Sequence, residues 1–96
     1  MAVQRVISWA RIAERDLDAI EDYIALDKPP AAPDAVNTIE AKVQMLKLFP
    51  HLGKRGRVRG SRELVAAPLP YVVVYRVRGD RIEIARVLHG AQQWHG

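Results

Sequence analysis

Cysteine is absent from the 96-residue chain, which removes disulfides, thiolate metal ligands and cysteine nucleophiles together. Hydroxyls are scarce: besides three tyrosines there are only Ser8, Thr38 and Ser61, and none stands in a nucleophile elbow. His51, His89 and His95 are scattered, with no pair at one-face helical spacing, so neither a metal nor another cofactor is expected. No apolar run approaches the roughly 20 residues a membrane span requires. The opening MAVQRVISW lacks the apolar core and cleavage site of a secretory leader. A single cytoplasmic domain covering 1–96 is the expectation, with no membrane association.

Acidic charge is also missing from the second half. Residues 1–53 carry six Lys/Arg against eight Asp/Glu, whereas residues 54–96 carry nine against three. The overall charge of +4 therefore hides a slightly acidic half and a strongly basic one. The basic half would attract an acidic or otherwise anionic partner.

What is present reads as alternating periodicities. Val3 to Ile7 is short and β-branched, a predicted strand. From Trp9 to about Leu26, Ala13, Leu17, Ile20 and Ile24 recur on one helical face, with Ser8 placed to cap the start. Glu14, Asp18 and Asp22 form an acidic row on the outer side. DKPPAAPD breaks the helix, and its prolines suit the first turn of another. Val36, Ile39, Val43 and Leu46 repeat the three–four spacing until Pro50 ends it. The short connector predicts a two-helix hairpin.

Afterwards the period becomes two. ELVAA is a predicted strand stopped by Pro68, and YVVVYRVRGDRIEIARVLH reads as two strands joined by Gly79-Asp80, a type II′ turn. That turn sets Tyr75 opposite Ile84, Val74 opposite Ala85 and Val73 opposite Arg86. One face then holds Tyr71, Val73, Tyr75, Val77, Ile82, Ile84 and Leu88, broken only by Arg86. The other holds Val72, Val74, Ala85, Val87, His89 and an Arg76–Glu83 pair. The predicted fold is α+β: an N-terminal strand, a two-helix hairpin, then three antiparallel strands, with the helices on one face of a small antiparallel sheet.

Between the helices and these strands lies GKRGRVRGSR, residues 53–62, with five cations, three glycines and no acid. Its glycines fit neither a P-loop nor a dinucleotide fingerprint. It serves as a solvated connector, a phosphate grip or a docking surface for an acidic partner. A buried unpaired guanidinium is very costly, so Arg86 must either reach the sheet edge or find a carboxylate, for which the acidic first helix is one source. His89, ending the last strand, and Trp94, in the polar tail GAQQWHG, complete the candidate residues.

The ordered set Ala13 to Ile24 (A-x-x-D-L-x-x-I-x-x-Y-I), FPHLGKRGRVRGSRELV, YVVVYRV and RVLHGAQQW resembles the RelE/ParE superfamily of toxins from bacterial type II toxin–antitoxin modules. The resemblance implies a growth-arresting toxin bound by a cognate ParD- or RelB-like antitoxin with an acidic C-terminal segment, in a hetero-oligomeric complex. RelE-like members cut ribosome-bound mRNA; ParE-like members inhibit DNA gyrase without being known as nucleases, and such modules serve plasmid stabilisation. Nuclease members often carry Arg at the place of Val72, and RVLH resembles the ParE-like ending, so the resemblance favours the ParE-like branch. The alternative is a ribosome-dependent mRNA endonuclease using Arg62 and His89. The residues implied for antitoxin or target binding are Lys54, Arg55, Arg57, Arg59, Arg62, Arg86, His89 and Trp94.

Overall fold

A computed structural model describes residues 5–90. Its elements are β1 (Val6–Trp9), α1 (Arg11–Asp27), α2 (Ala31–Met45), β2 (Lys54–Arg55), β3 (Arg62–Val65), β4 (Tyr71–Arg78) and β5 (Arg81–His89). They form a five-stranded sheet in the order β1-β5-β4-β3-β2. Both helices pack against one face, where Ala13, Ile20, Ile39, Val43 and Leu46 meet Leu64, Val73, Tyr75, Ile82, Ile84 and Val87. The α+β arrangement is the expected one. The sheet, however, is mixed, because β1 lies parallel to β5, with Val6 opposite Arg81 and Trp9 opposite Ile84. A parallel neighbour is reached only by a crossover, and the helix hairpin with β2–β4 forms that long connection.

Both helices follow their apolar spacing. The acidic row Glu14, Asp18 and Asp22 is exposed on α1. Ser8 does not cap α1: it lies within β1, Ala10 occupies the cap position, and no side chain satisfies the first turn. The parallel pairing with β5 draws residues 6–9 into the sheet and moves the helix start on. Likewise α2 stops at Met45 rather than at Pro50. Residues 46–48 continue only as tight turns, with Leu46, Lys47 and Leu48 N–H groups bonding carbonyls three residues back.

The β4–β5 hairpin turns at Gly79 with φ +59, the left-handed conformation that the first position of a type II′ turn requires. Register agrees with expectation from Arg78↔Arg81 to Tyr75↔Ile84. There a bulge intervenes, and Val74 pairs with Arg86, not Ala85. One extra residue inverts every later side chain. Val87 therefore joins the helix-side core, Leu88 and Arg86 pass to the far face, and His89 sits opposite Tyr71 with their rings edge to face, centroids 5.8 Å apart. These placements correct the expected ones for Arg86, Val87, Leu88 and His89. Arg76 and Glu83 are opposite, as expected, yet the carboxylate of Glu83 lies 3.7 Å from Arg78, a diagonal neighbour.

Two polar links hold the layers in place. Asp16 of α1 accepts from Arg86 Nε (2.8 Å) and Nη2 (3.0 Å), and from the Val87 N–H (3.0 Å). It closes the edge of β5 beyond the last residue paired with β1. The Asp16 hydrogen bonds raise the Arg86 pKa above its ordinary value despite partial burial. The second link is Tyr75, fully buried. Its hydroxyl accepts from the Gly53 N–H (2.9 Å) and donates to the Pro50 carbonyl (2.9 Å). Burial raises the Tyr75 pKa, partly opposed by the Gly53 N–H and Arg62, so the phenol stays a donor at physiological pH.

Tyr75→Phe should therefore leave two buried backbone groups without partners and destabilise the chain by about 1–3 kcal/mol. A shifted urea midpoint at unchanged slope would register this; an unchanged midpoint would show that water replaces the phenol at no cost.

Candidate functional site

The cationic run begins at Gly53, where the Tyr75 hydroxyl anchors it. A Cβ at Gly53 would lie 2.8 Å from the Glu63 carbonyl and 2.8 Å from the Tyr75 ring, so only glycine allows the loop this close to the sheet. From there the chain enters β2, a strand of two residues that the sequence pattern did not reveal. Lys54 pairs with Glu63 and Arg55 with Arg62. The turn between β2 and β3 is closed by Gly56 N–H to Ser61 O (2.8 Å) and by the Ser61 hydroxyl donating to Val58 O (2.6 Å).

Alternation along paired strands sends neighbouring side chains to opposite faces. It divides the run into two groups. Arg55 and Arg62 share the helix-side face with Tyr75, and with His51, Arg59 and Ser61 they line a cleft of about 440 Å³ whose apolar wall is Val77. Arg62 is oriented there by donating from Nη1 to the Gly53 carbonyl at 2.8 Å. Among the described residues, no carboxylate lines this cleft.

Lys54 and Arg57 belong to the other group. They line a far-face cleft of about 550 Å³ with Glu63, Val65, Pro70, Val72 and His89. Glu63 is buried here, accepting from the Arg57 N–H (2.8 Å) and Nε (3.1 Å). Burial would raise its pKa. The Arg57 hydrogen bonds and charge, with Lys54 nearby, outweigh burial and hold it below the usual glutamate value. The far-face cleft thus contains a fixed negative charge between its cations.

The eight expected binding residues therefore do not form one surface. Arg55, Arg59 and Arg62 meet in the helix-side cleft, and Lys54 and Arg57 in the far-face cleft, whereas His89, opposite Tyr71 on the helix side of β5, lines the far-face cleft and also a hollow with Asp16, Ile20, Tyr23 and Tyr71. Arg86 is clamped by Asp16, a carboxylate of the first helix as one of its two expected outcomes had it, although Asp16 stands outside the acidic row. Trp94 lies outside the described residues. Arg62 and His89, paired in the endonuclease alternative, line different clefts: Arg62 is opposite Tyr75 and His89 opposite Tyr71, on either side of β4. Four residues along a strand and two strand spacings put their backbones roughly 16 Å apart.

Sequence reasoning missed His51 as a partner of the arginines, although it stands only three residues before Lys54. It also missed an exposed apolar strip. Met45, Leu48, Phe49 and Leu52 recur at three, one and three residues, and all are between 42% and 57% exposed. Their signal was apolar residues out of step with the buried Val43–Leu46 face. Among the described residues no cluster of His, Asp or Glu could hold a metal ion, and no helix is long and apolar enough to cross a membrane.

Comparison with known proteins gives this geometry a family context. Residues 7–94 match the family described as the ParE toxin of the type II toxin–antitoxin system parDE. The chain is 43% identical over 88 residues to the protein Y4kP of Sinorhizobium fredii, covering 92% of this chain and 91% of that one. It is 36% identical over 91 residues to toxin RelE2 of Caulobacter vibrioides, covering 93% and 97%. A solved structure of the chromosomal ParDE toxin–antitoxin system of P. aeruginosa superposes with a TM-score of 0.83 at 31% identity, covering 90% of this chain and 96% of that one. The RelBE2 toxin–antitoxin complex of Mycobacterium tuberculosis shares the fold, with a TM-score of 0.64 at 22% identity over 91% and 99% of the two chains.

The Glu63 link carries a pH signature. A carboxylate whose pKa is lowered on folding stabilises the fold fully above its ordinary glutamate value and loses that contribution as pH falls through the folded value. Glu63→Gln should cost about 1–3 kcal/mol at neutral pH and flatten the fall in stability below the glutamate range. Parallel stability–pH curves for the two proteins would contradict this.

Proposed function

The chain belongs to the ParE toxin family of type II toxin–antitoxin systems, and from that premise we propose that it arrests growth by inhibiting DNA gyrase and is silenced by a cognate antitoxin. The observation that carries the gyrase reading is the far-face cleft. Val72 lies in it where a nuclease would need a guanidinium, and a valine cannot stabilise developing phosphate charge, a contribution commonly of a few kcal/mol. The ionised Glu63 carboxylate beside His89 would further repel a phosphodiester there. Arg62, the cation that an endonuclease would pair with His89, faces the other cleft. Inhibition without catalysis requires a binding surface instead, and the strip Met45, Leu48, Phe49 and Leu52 supplies exposed apolar area of the kind that marks protein interfaces.

For the antitoxin, the far-face cleft combines apolar Val65, Pro70 and Val72 with Lys54 and Arg57 at one end. This suits an amphipathic segment with acidic residues, the chemistry expected of an antitoxin C-terminus. Lys54 is exposed. It supplies attraction, whereas Arg57 is already engaged by Glu63 and acts mainly through the shape it gives the cleft. Arg86, clamped by Asp16, acts in this reading by fixing β5 rather than by touching a partner.

The name of the Caulobacter relative, RelE2, supports a second reading, translation-dependent mRNA cleavage in which His89 would move the proton. One pair of assays separates the two. In the first, purified toxin should inhibit supercoiling by gyrase or trap its cleaved DNA in a dose-dependent way. In the second, primer extension on translated message should show no A-site cuts. Inactivity on gyrase together with cuts that vanish in His89→Ala would overturn the gyrase reading.

Antitoxin recognition has its own test. Lys54→Glu should weaken binding roughly fivefold at low ionic strength, with a smaller loss above about 0.15 M salt, where charges are screened over about 8 Å. Titration calorimetry at two salt concentrations reads this, and a loss independent of salt would rule out an electrostatic role.

A further inference from the structure

The helix-side cleft has a property that neither gyrase inhibition nor antitoxin binding uses. Arg55, Arg59 and Arg62 converge on it with His51. The ion pairs Arg57–Glu63, Arg78–Glu83 and Arg86–Asp16 include none of these three arginines, and no carboxylate of the described residues lines their cleft. Three like charges in one small cleft repel one another. The fold nonetheless imposes the grouping, through the Arg55↔Arg62 register and the bond from Arg62 to Gly53. A mobile solvated cation would spread away from its neighbours, whereas the Arg62 guanidinium is held.

We propose that this cleft is an anion site that takes a phosphate group. Its chemistry selects that ligand in three ways. Guanidinium groups bind phosphate oxygens through paired parallel hydrogen bonds, and several around one cleft match a tetrahedral anion better than a planar carboxylate. Gly60, in the left-handed conformation at φ +82, has nothing within 4 Å of where its Cβ would be, so the rim is open to a bulky phosphate ester. Among the described residues no Phe, Tyr or Trp lines the cleft, so it offers no broad platform for stacking bases, and its charged groups read the phosphate rather than the nucleoside. The phosphate comes from a nucleic-acid backbone or from a free phosphate, and both are held by the same groups. The site is independent of the gyrase reading: it uses the opposite face of the β2–β3 ribbon from the cleft assigned to the antitoxin.

The test uses the full-length toxin without its antitoxin. A short fluorescein-labelled oligothymidylate should bind with a log K against log salt slope of about −2, three phosphate contacts at roughly −0.7 each. The double variant Arg55→Gln/Arg59→Gln should bind at least about tenfold more weakly, with a slope near −0.7. Arg11→Gln/Arg15→Gln removes the same charge from exposed positions of α1 and should change neither. In parallel, inorganic phosphate added to the unsubstituted protein at constant ionic strength should shift the Gly56, Gly60 and Ser61 amide resonances, a readout that needs no variant to fold. Amide shifts with phosphate but no oligonucleotide binding would keep the site and assign it to a free phosphate. Equal losses in the two double variants would reduce the effect to bulk charge and overturn the proposal. So would the absence of amide shifts with either ligand.

Discussion

The hydroxyl of Tyr75 is the constraint from which the functional half of this molecule is built. It sits at the centre of β4, shielded from water, and bonds the Pro50 carbonyl and the Gly53 N–H on either side of the tight turn that follows α2. A buried phenol with both hydrogen-bonding capacities met is costly to displace, so the turn is held at one distance from the sheet. Gly53 allows the approach because any side chain would strike the phenol. Arg62 then bonds the Gly53 carbonyl. The start of the basic run is thus tied to the core even though its charged side chains reach solvent.

Once the run is anchored, a two-residue strand is enough to sort its charges. Pairing of Lys54 with Glu63 and of Arg55 with Arg62 places successive cations on opposite faces. The far face acquires Glu63, whose charge is kept by Arg57 against the cost of burial. The helix-side face acquires arginines alone, with His51 delivered by the same anchored turn. A contiguous basic stretch in the chain therefore becomes two clefts of different electrostatic character: a mixed one with apolar walls and a purely cationic one.

Much of this was legible in advance. The two helices, their packing face, the β4–β5 turn and its register as far as Tyr75↔Ile84 follow from apolar spacing and from a glycine in the one turn position that needs it. The need of Arg86 for either the sheet edge or a carboxylate was legible too, from the cost of an unpaired guanidinium. Beyond Tyr75 the prediction failed because a bulge carries no local signature in ARVLH. It is seen only where Asp16, about seventy residues away in sequence, grips Arg86 and Val87. The parallel pairing of β1 escaped for the same reason: its partner is contributed by the far end of the chain. β2 escaped because two residues between glycines are too few to display a period.

The sequence by itself determined the class of fold, the charge asymmetry between the halves and the membership of a toxin family, since each rests on composition, periodicity or ordered motifs that survive without coordinates. Tertiary structure alone decided which cations stand together, that His89 and Arg62 line different clefts, and that Arg86 is held by an acid. The physical reason is parity. Along a strand, a shift of one residue reverses every side chain, and that shift is set by contacts between segments distant in the chain.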